Sequence, residues 1–66
     1  MRISVNGDAR EVPDGSTVEA LLRSLDAQRD GTAVALNDGV VPRARHADTP
    51  LHEGDRLEII VAVAGG

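Results

Sequence analysis

Two glycines, Gly65 and Gly66, close the sequence after the apolar run Val61-Ala62-Val63-Ala64. Read as a C-terminus, this end places a carboxyl group on a tether that carries no side chains. Glycine adopts backbone shapes that other residues cannot, so such a tether threads a narrow channel that any Cβ would block. The plainer reading is a frayed end without a role, since termini are often disordered. What favours function is where the glycines stand. Elsewhere the chemistry is sparse. His46 and His52 are six residues apart, with Asp48 and Glu53 nearby, but that spacing matches no recognised metal-ligand pattern. Solvated loop histidines are the expected reading. No nucleophile joins them in an acid–base constellation, and no glycine-rich phosphate loop is present. No metal and no cofactor are therefore expected on this chain.

The 66 residues make one domain, and they include no cysteine and no aromatic side chain. A chain this short buries only about 60% of the surface that its unfolded form exposes. The core must come from Val, Leu, Ile, Ala and Met1. Without cysteine there is no disulfide, thiolate metal site or intrinsic redox chemistry. The longest apolar stretch, residues 59–64, falls far short of the roughly 20 residues that cross a bilayer. No membrane association is expected, and the cytoplasm is the expected location. Net charge is −4, from seven arginines and no lysine against eleven acidic residues. That balance disfavours nucleic acid, whose binders are usually basic. It also leaves no side-chain amine on which copies of the chain could be joined by isopeptide bonds. A monomer is expected.

The elements that must position the tail follow from periodicity and turn chemistry. Met1, Ile3 and Val5 alternate with Arg2 and Ser4, the period of a half-buried strand. Asn6-Gly7 then gives a hairpin turn, because both residues tolerate positive φ. A second strand is predicted over residues 8–12, ended by Pro13-Asp14-Gly15. Ser16-Thr17-Val18-Glu19 fits a capping box, and Thr17 is an equally good cap. Val18, Leu21, Leu22 and Leu25 form one apolar stripe, with Arg23 and Arg29 toward the helix end and a stop expected by Asp30-Gly31. Residues 32–36 read as a strand, Asn37-Asp38-Gly39 as a turn, and Val40-Val41 as a brief return halted by Pro42. Residues 43–50 read as polar and irregular, and Glu53-Gly54-Asp55 as a turn. In the last and longest strand Leu57, Ile59, Val61 and Val63 alternate with Glu58, Ile60 and Ala62.

One hairpin, one crossing helix and a returning strand give an α+β fold of the β-grasp type. It has a small mixed sheet of about four or five strands, with one main helix across one face. The final strand is placed beside the first, in parallel, at the centre. The expected domain is 1–63, with 64–66 as a flexible diglycine tail. If Leu57, Ile59, Val61 and Val63 face the helix, then Ile60 and Ala62 face away, as a candidate docking surface close to the tail. Arg43, Arg45 and Arg56 are a candidate basic patch, although interspersed Glu53, Asp55 and Glu58 also suit an ordinary solvated surface.

Taken in order, Asn6-Gly7, Thr17-Val18, Leu21-Leu22, Ala33-Val34, Asn37, Val41-Pro42-Arg43, Leu51, Gly54-Asp55, Glu58-Ile59 and Gly65-Gly66 resemble the thiamine-biosynthesis sulfur carrier proteins. These are prokaryotic, ubiquitin-like relatives of ubiquitin, and the resemblance spans essentially the whole chain. Two departures stand out: family members often carry an aromatic residue where Ala44-Arg45-His46 stands, and a longer glycine run where Ala64 stands.

The resemblance implies that Gly66 is the reacting residue, with Gly65 threading the tail. It further implies that Arg43, Ile60, Ala62 and Ala64 contact partners. A ubiquitin-activating-type adenylyltransferase, which itself binds the ATP, would adenylate the Gly66 carboxylate. Sulfur from a cysteine desulfurase or another donor would then leave a thiocarboxylate, and thiazole synthase would take up that sulfur. In this reading the chain is a cosubstrate and not an enzyme. The alternatives are a carrier for molybdopterin or another metabolite, a ubiquitin-like protein modifier, and a plain β-grasp binding module. A β-grasp ferredoxin is excluded by the missing cysteines. A binding module would tolerate a residue added after Gly66; a carrier would not.

Overall fold

The computed structural model describes residues 1–27 and 32–60. Strand β1 (Arg2–Val5) turns Ile3 and Val5 inward and leaves Arg2 exposed, as its alternation requires. Asn6 and Gly7 take φ of 51° and 88°, which lets β2 (Asp8–Glu11) fold straight back with Arg2 opposite Glu11 and Val5 opposite Asp8. The open end of this hairpin is closed by the N-terminal ammonium, which donates to the Val12 carbonyl at 2.8 Å. The Val12 amide donates to Met1 in return, at 2.9 Å. β2 is exposed throughout, and its charged Asp8, Arg10 and Glu11 discourage pairing of another chain on that edge.

Helix α1 (Val18–Ser24) settles which residue caps it. Thr17 has extended backbone, and its hydroxyl accepts from the Ala20 amide at 3.1 Å. Ser16 instead donates to the Pro13 carbonyl at 2.6 Å, and Glu19 accepts from Arg23 one turn on, at 3.2 Å. Thr17→Ala is therefore expected to cost about 1 kcal/mol, lowering a thermal midpoint by roughly 4–8 °C. Ser16→Ala should stay within about 0.5 kcal/mol. Circular-dichroism melts with equal shifts for the two variants would contradict this assignment.

The helix stops earlier than the expected Asp30-Gly31. Asp26 takes φ of 54°, its amide donates to Arg23 at 3.1 Å, and that of Ala27 donates to Leu22 at 2.8 Å. This pair of bonds is a Schellman closure with aspartate in place of the usual glycine. Arg29, expected near the helix end, lies outside the described residues.

Strands β3 (Ala33–Leu36) and β4 (Gly39–Val41) form the second hairpin. Its positive φ values fall on Asn37 and Asp38, at 50° and 72°, and Gly39 already belongs to β4. Strand β5 (Arg56–Ile60) lies parallel to β1 and antiparallel to β3, within the sheet order β2-β1-β5-β3-β4. The first and last strands thus share the centre of a five-stranded mixed sheet, as anticipated for a β-grasp. The expected extension of this strand through Val61, Ala62 and Val63 lies outside the described residues.

Val18, Leu21 and Leu22 of α1 bury against Ile3, Val5, Val34 and Leu57 of the sheet, with Leu51 completing the cluster. Among the described residues every buried core group is thus a branched aliphatic side chain. Residues 43–50, expected to be irregular, contain a 3-10 helix, Arg43–Asp48. Its first turn is closed by the Arg45 amide on Pro42 at 2.8 Å, and the chain then bonds back to the start of α1, Val18 to Thr49 at 3.0 Å and Leu51 to Ser16 at 2.8 Å.

Candidate functional site

The backbone groups of β5 divide by parity. Leu57 and Ile59 present theirs toward β1, where the Asn6 amide donates to the Leu57 carbonyl at 2.9 Å. Arg56 presents its own toward β3, where the Asn37 amide donates to its carbonyl at 2.8 Å. The strand that leads to residues 61–66 is therefore gripped from both sides. Gly65 and Gly66, the expected reacting end, lie outside the described residues, as do Ala62 and Ala64.

Of the expected partner-contacting residues, two can be placed. Ile60 is 65% exposed and pairs with Ala33 of β3, on the sheet face turned away from α1. The same face carries Ala35, opposite Glu58, and Val40, opposite Ala35. Val40 is 78% exposed. An apolar strip thus crosses β5, β3 and β4. Sequence reading turned Ile60 outward and did not single out Val40.

Arg43 is exposed and opens the 3-10 helix. It follows β4 at the end of the sheet where β5 also finishes, since Val34 pairs with both Val41 and Ile59. Its side chain lines a cavity of about 260 Å³ between α1 and the 3-10 helix, together with Glu19, Leu22, Thr32 and His46. Arg43 and Ile60 thus share one end of the sheet but stand on opposite faces.

The expected basic patch is split. Arg56 begins β5 at the far end and pairs with Asp38 at 2.7 Å. Its amide donates to Asn37 Oδ1 at 2.9 Å, and the Asn37 side-chain amide donates to Asp55 at 3.1 Å.

The two histidines have different fates. His46 was expected to be a solvated loop residue, but the 3-10 winding turns it inward to 8% exposure. Its Nε2 lies 3.1 Å from the Val41 carbonyl, a bond that anchors the 3-10 helix to β4. His52 is solvated, as expected, with its side chain 74% exposed and Nδ1 3.8 Å from Asp55. The spacing of six brings them into no shared site, and among the described residues no three acidic or histidine side chains gather as a metal would require.

Comparison with known proteins fits this geometry. The chain is 36% identical to the sulfur carrier protein ThiS of Escherichia coli over 66 residues, covering all of both chains. It is 40% identical to the molybdopterin synthase sulfur carrier subunit of the same organism, in an alignment of 72 positions that covers 89% of that subunit. It is 36% identical to the thiazole synthase of Paramagnetospirillum magneticum, of whose length it spans only 20%. Among solved structures, the thiamine biosynthesis protein ThiS of Geobacter metallireducens superposes with a TM-score of 0.84 at 32% identity, over the whole of both chains. The profile of the ThiS family matches residues 3–66. The chain belongs to the ThiS family.

Proposed function

We propose that this protein is a sulfur carrier of thiamine biosynthesis, with the Gly66 carboxyl group as the site that carries the sulfur. The end-to-end match to the Escherichia coli carrier, with no difference in the span covered, is the observation that carries the reading. It is joined by the diglycine that sequence alone singles out.

A carboxylate is a poor acyl donor because its oxygen leaves badly, so a partner must activate it. An adenylyltransferase of the ubiquitin-activating type joins the Gly66 oxygen to the AMP of ATP and releases pyrophosphate. The terminal sulfur of a cysteine persulfide, supplied by a cysteine desulfurase or another donor, then displaces AMP. Cleavage of the resulting acyl disulfide by a thiol leaves the thiocarboxylate. ATP is held by the partner, because this chain carries no phosphate-binding glycine loop. The protein is a cosubstrate, and both active sites belong to the enzymes that it visits. The reaction draws on ATP and a persulfide, and the cytoplasm is the location proposed for it.

Thiazole synthase is the acceptor in this reading. Its support is the pair of thiazole synthases with a stretch that matches this chain along its whole length. A molybdopterin carrier is the second reading, favoured by the 40% identity over 72 positions. The equal span of the thiamine carrier places it behind the first.

The strip of Ile60 and Val40 is the surface on which the activating enzyme docks, and Arg43, at the same end of the sheet but on the opposite face, is a separate contact. Ile60→Arg should leave folding within about 0.5 kcal/mol. It should raise the KM of the carrier for that enzyme by about tenfold, the scale of an interface anchor. A KM within twofold of wild type would remove Ile60 from the docking surface.

The reading itself is tested by intact mass after incubation with ATP, a persulfide donor and the activating enzyme. The expected gain equals one oxygen replaced by one sulfur, located in the C-terminal fragment. An unchanged mass, with a control carrier converted by the same enzyme, would turn the assignment toward a binding module.

A further inference from the structure

Asn6 serves as more than a turn residue. In the parallel pairing of β1 and β5, the Ser4 amide donates to Asp55 at 2.9 Å and the Asn6 amide to Leu57 at 2.9 Å. The next rung belongs to Ile59. By then the β1 backbone has turned away into the Asn6-Gly7 hairpin, so no main-chain group of β1 stands opposite. The side chain of Asn6 fills the place. Its Oδ1 accepts from the Ile59 amide at 2.7 Å, and its Nδ2 donates to the Ile59 carbonyl at 3.2 Å. A primary amide has the same donor and acceptor as a peptide group, so one side chain completes the rung that the backbone abandons. Without it both polar groups of Ile59 lose their partner on that edge, seven positions before Gly66.

We infer that Asn6 is a positioning residue for the C-terminal reaction: its side-chain amide locks Ile59 into the sheet and so fixes the point from which the reacting end is presented. This rests on the sulfur-carrier reading. Activation requires the Gly66 carboxyl to be held beside ATP in a partner, and freedom at the base of the tether in the free carrier must be given up on docking, which weakens binding. Asn37 offers a matched comparison, because it clamps the opposite end of the same strand through its own side chain at Arg56, with nearly the same φ as Asn6.

The test compares full-length wild type with Asn6→Gly, Asn37→Gly and Asn6→Asp. Glycine keeps each positive-φ turn and removes only the side-chain bonds, so both glycine variants remain folded with similar losses in thermal midpoint. Amide exchange at Ile59 is expected to accelerate about tenfold in Asn6→Gly, the scale of losing hydrogen bonds at a strand end, and to stay near wild type in Asn37→Gly. The Asp variant keeps the acceptor but sets a carboxylate against the Ile59 carbonyl, so its protection should be intermediate. In thiocarboxylate formation by intact mass, Asn6→Gly should raise the carrier KM about tenfold with kcat within twofold, while Asn37→Gly leaves both unchanged.

Unchanged Ile59 exchange in Asn6→Gly would overturn the clamp. Faster exchange with wild-type kinetics, or an equal rise in KM for Asn37→Gly, would overturn the positioning role and leave the carrier reading intact. Failure of the wild-type chain to convert, with a control carrier converted in parallel, would overturn the carrier reading and the positioning role together.

Discussion

Deletion of Gly66, and equally addition of one alanine after it, is expected to abolish thiocarboxylate formation without altering the fold. One residue of extended chain moves the acyl carbon by about 3.3–3.6 Å. A misplacement of 1 Å can already cost about 100-fold in a reaction that depends on orientation, so a loss of at least that size is expected from either change. The deletion variant is the sharper of the two. It ends in Gly65 and still carries a glycine carboxylate of the same reactivity, so only its reach has changed. The checks are an intact-mass time course with the activating enzyme and a thermal melt. Conversion of the deletion variant within threefold of wild type would show that reach is not read, and a channel that measures the tail would have to be given up. The melt should not move, because the described core ends at Leu57 and Ile59.

Leu57→Ala is expected to do the reverse, weakening the fold and lowering every activity with it. Leu57 is 0% exposed and sits on the central strand, opposite Val5 on one side and Leu36 on the other. Removing a buried leucine side chain costs about 2–5 kcal/mol. At roughly 0.05–0.15 kcal/mol per residue, the whole chain of 66 residues holds only about 3–10 kcal/mol. No aromatic ring or disulfide makes up the difference. At about 4–8 °C per kcal/mol for a domain of this size, the midpoint should fall by at least about 8 °C, and a good part of the protein should be unfolded at 37 °C. Circular dichroism measures this directly, with Ile60→Ala on the open face as the near-silent control. A shift below 5 °C for Leu57→Ala would mean that the core closes around the gap.

The features legible in the sequence are those set by residues close together along the chain. Asn6-Gly7 fixes the first hairpin, and the spacing of Val18, Leu21 and Leu22 fixes the buried face of α1. The alternation of Leu57, Glu58, Ile59 and Ile60 tells inward from outward. The central parallel pair followed from the element order. What stayed hidden depends on partners distant in sequence. Asn6 reads as a turn residue, but its side chain meets Ile59 across 53 residues, and Asn37 meets Asp55 and Arg56 across 18 and 19. His46 lies in a polar stretch and gave no sign that 3-10 winding would bury it. The helix end was hidden for a local reason: Asp26 takes a left-handed conformation that glycine would have advertised. Of the candidate site, the outward face of Ile60 was visible because it stands on a period, while the diglycine lies outside the described residues. Val40 was missed because β4 is only three residues long, too short for alternation to declare itself.

The strand at the middle of the sheet is also the last of the five to be synthesised. Until residues 56–60 have left the ribosome, the β1–β2 hairpin and the β3–β4 hairpin have nothing between them, and Ile3, Val5 and Val34 have no Leu57 to pack against. A product of interrupted translation that lacks β5 therefore cannot assemble the sheet, and it passes to the proteases that clear unfolded chains. Among finished molecules, to be folded is to have been made at least as far as β5. The fold itself thus discards chains that stop before β5, whereas a chain short of only its last residue folds and is told apart by the enzyme that reads its end.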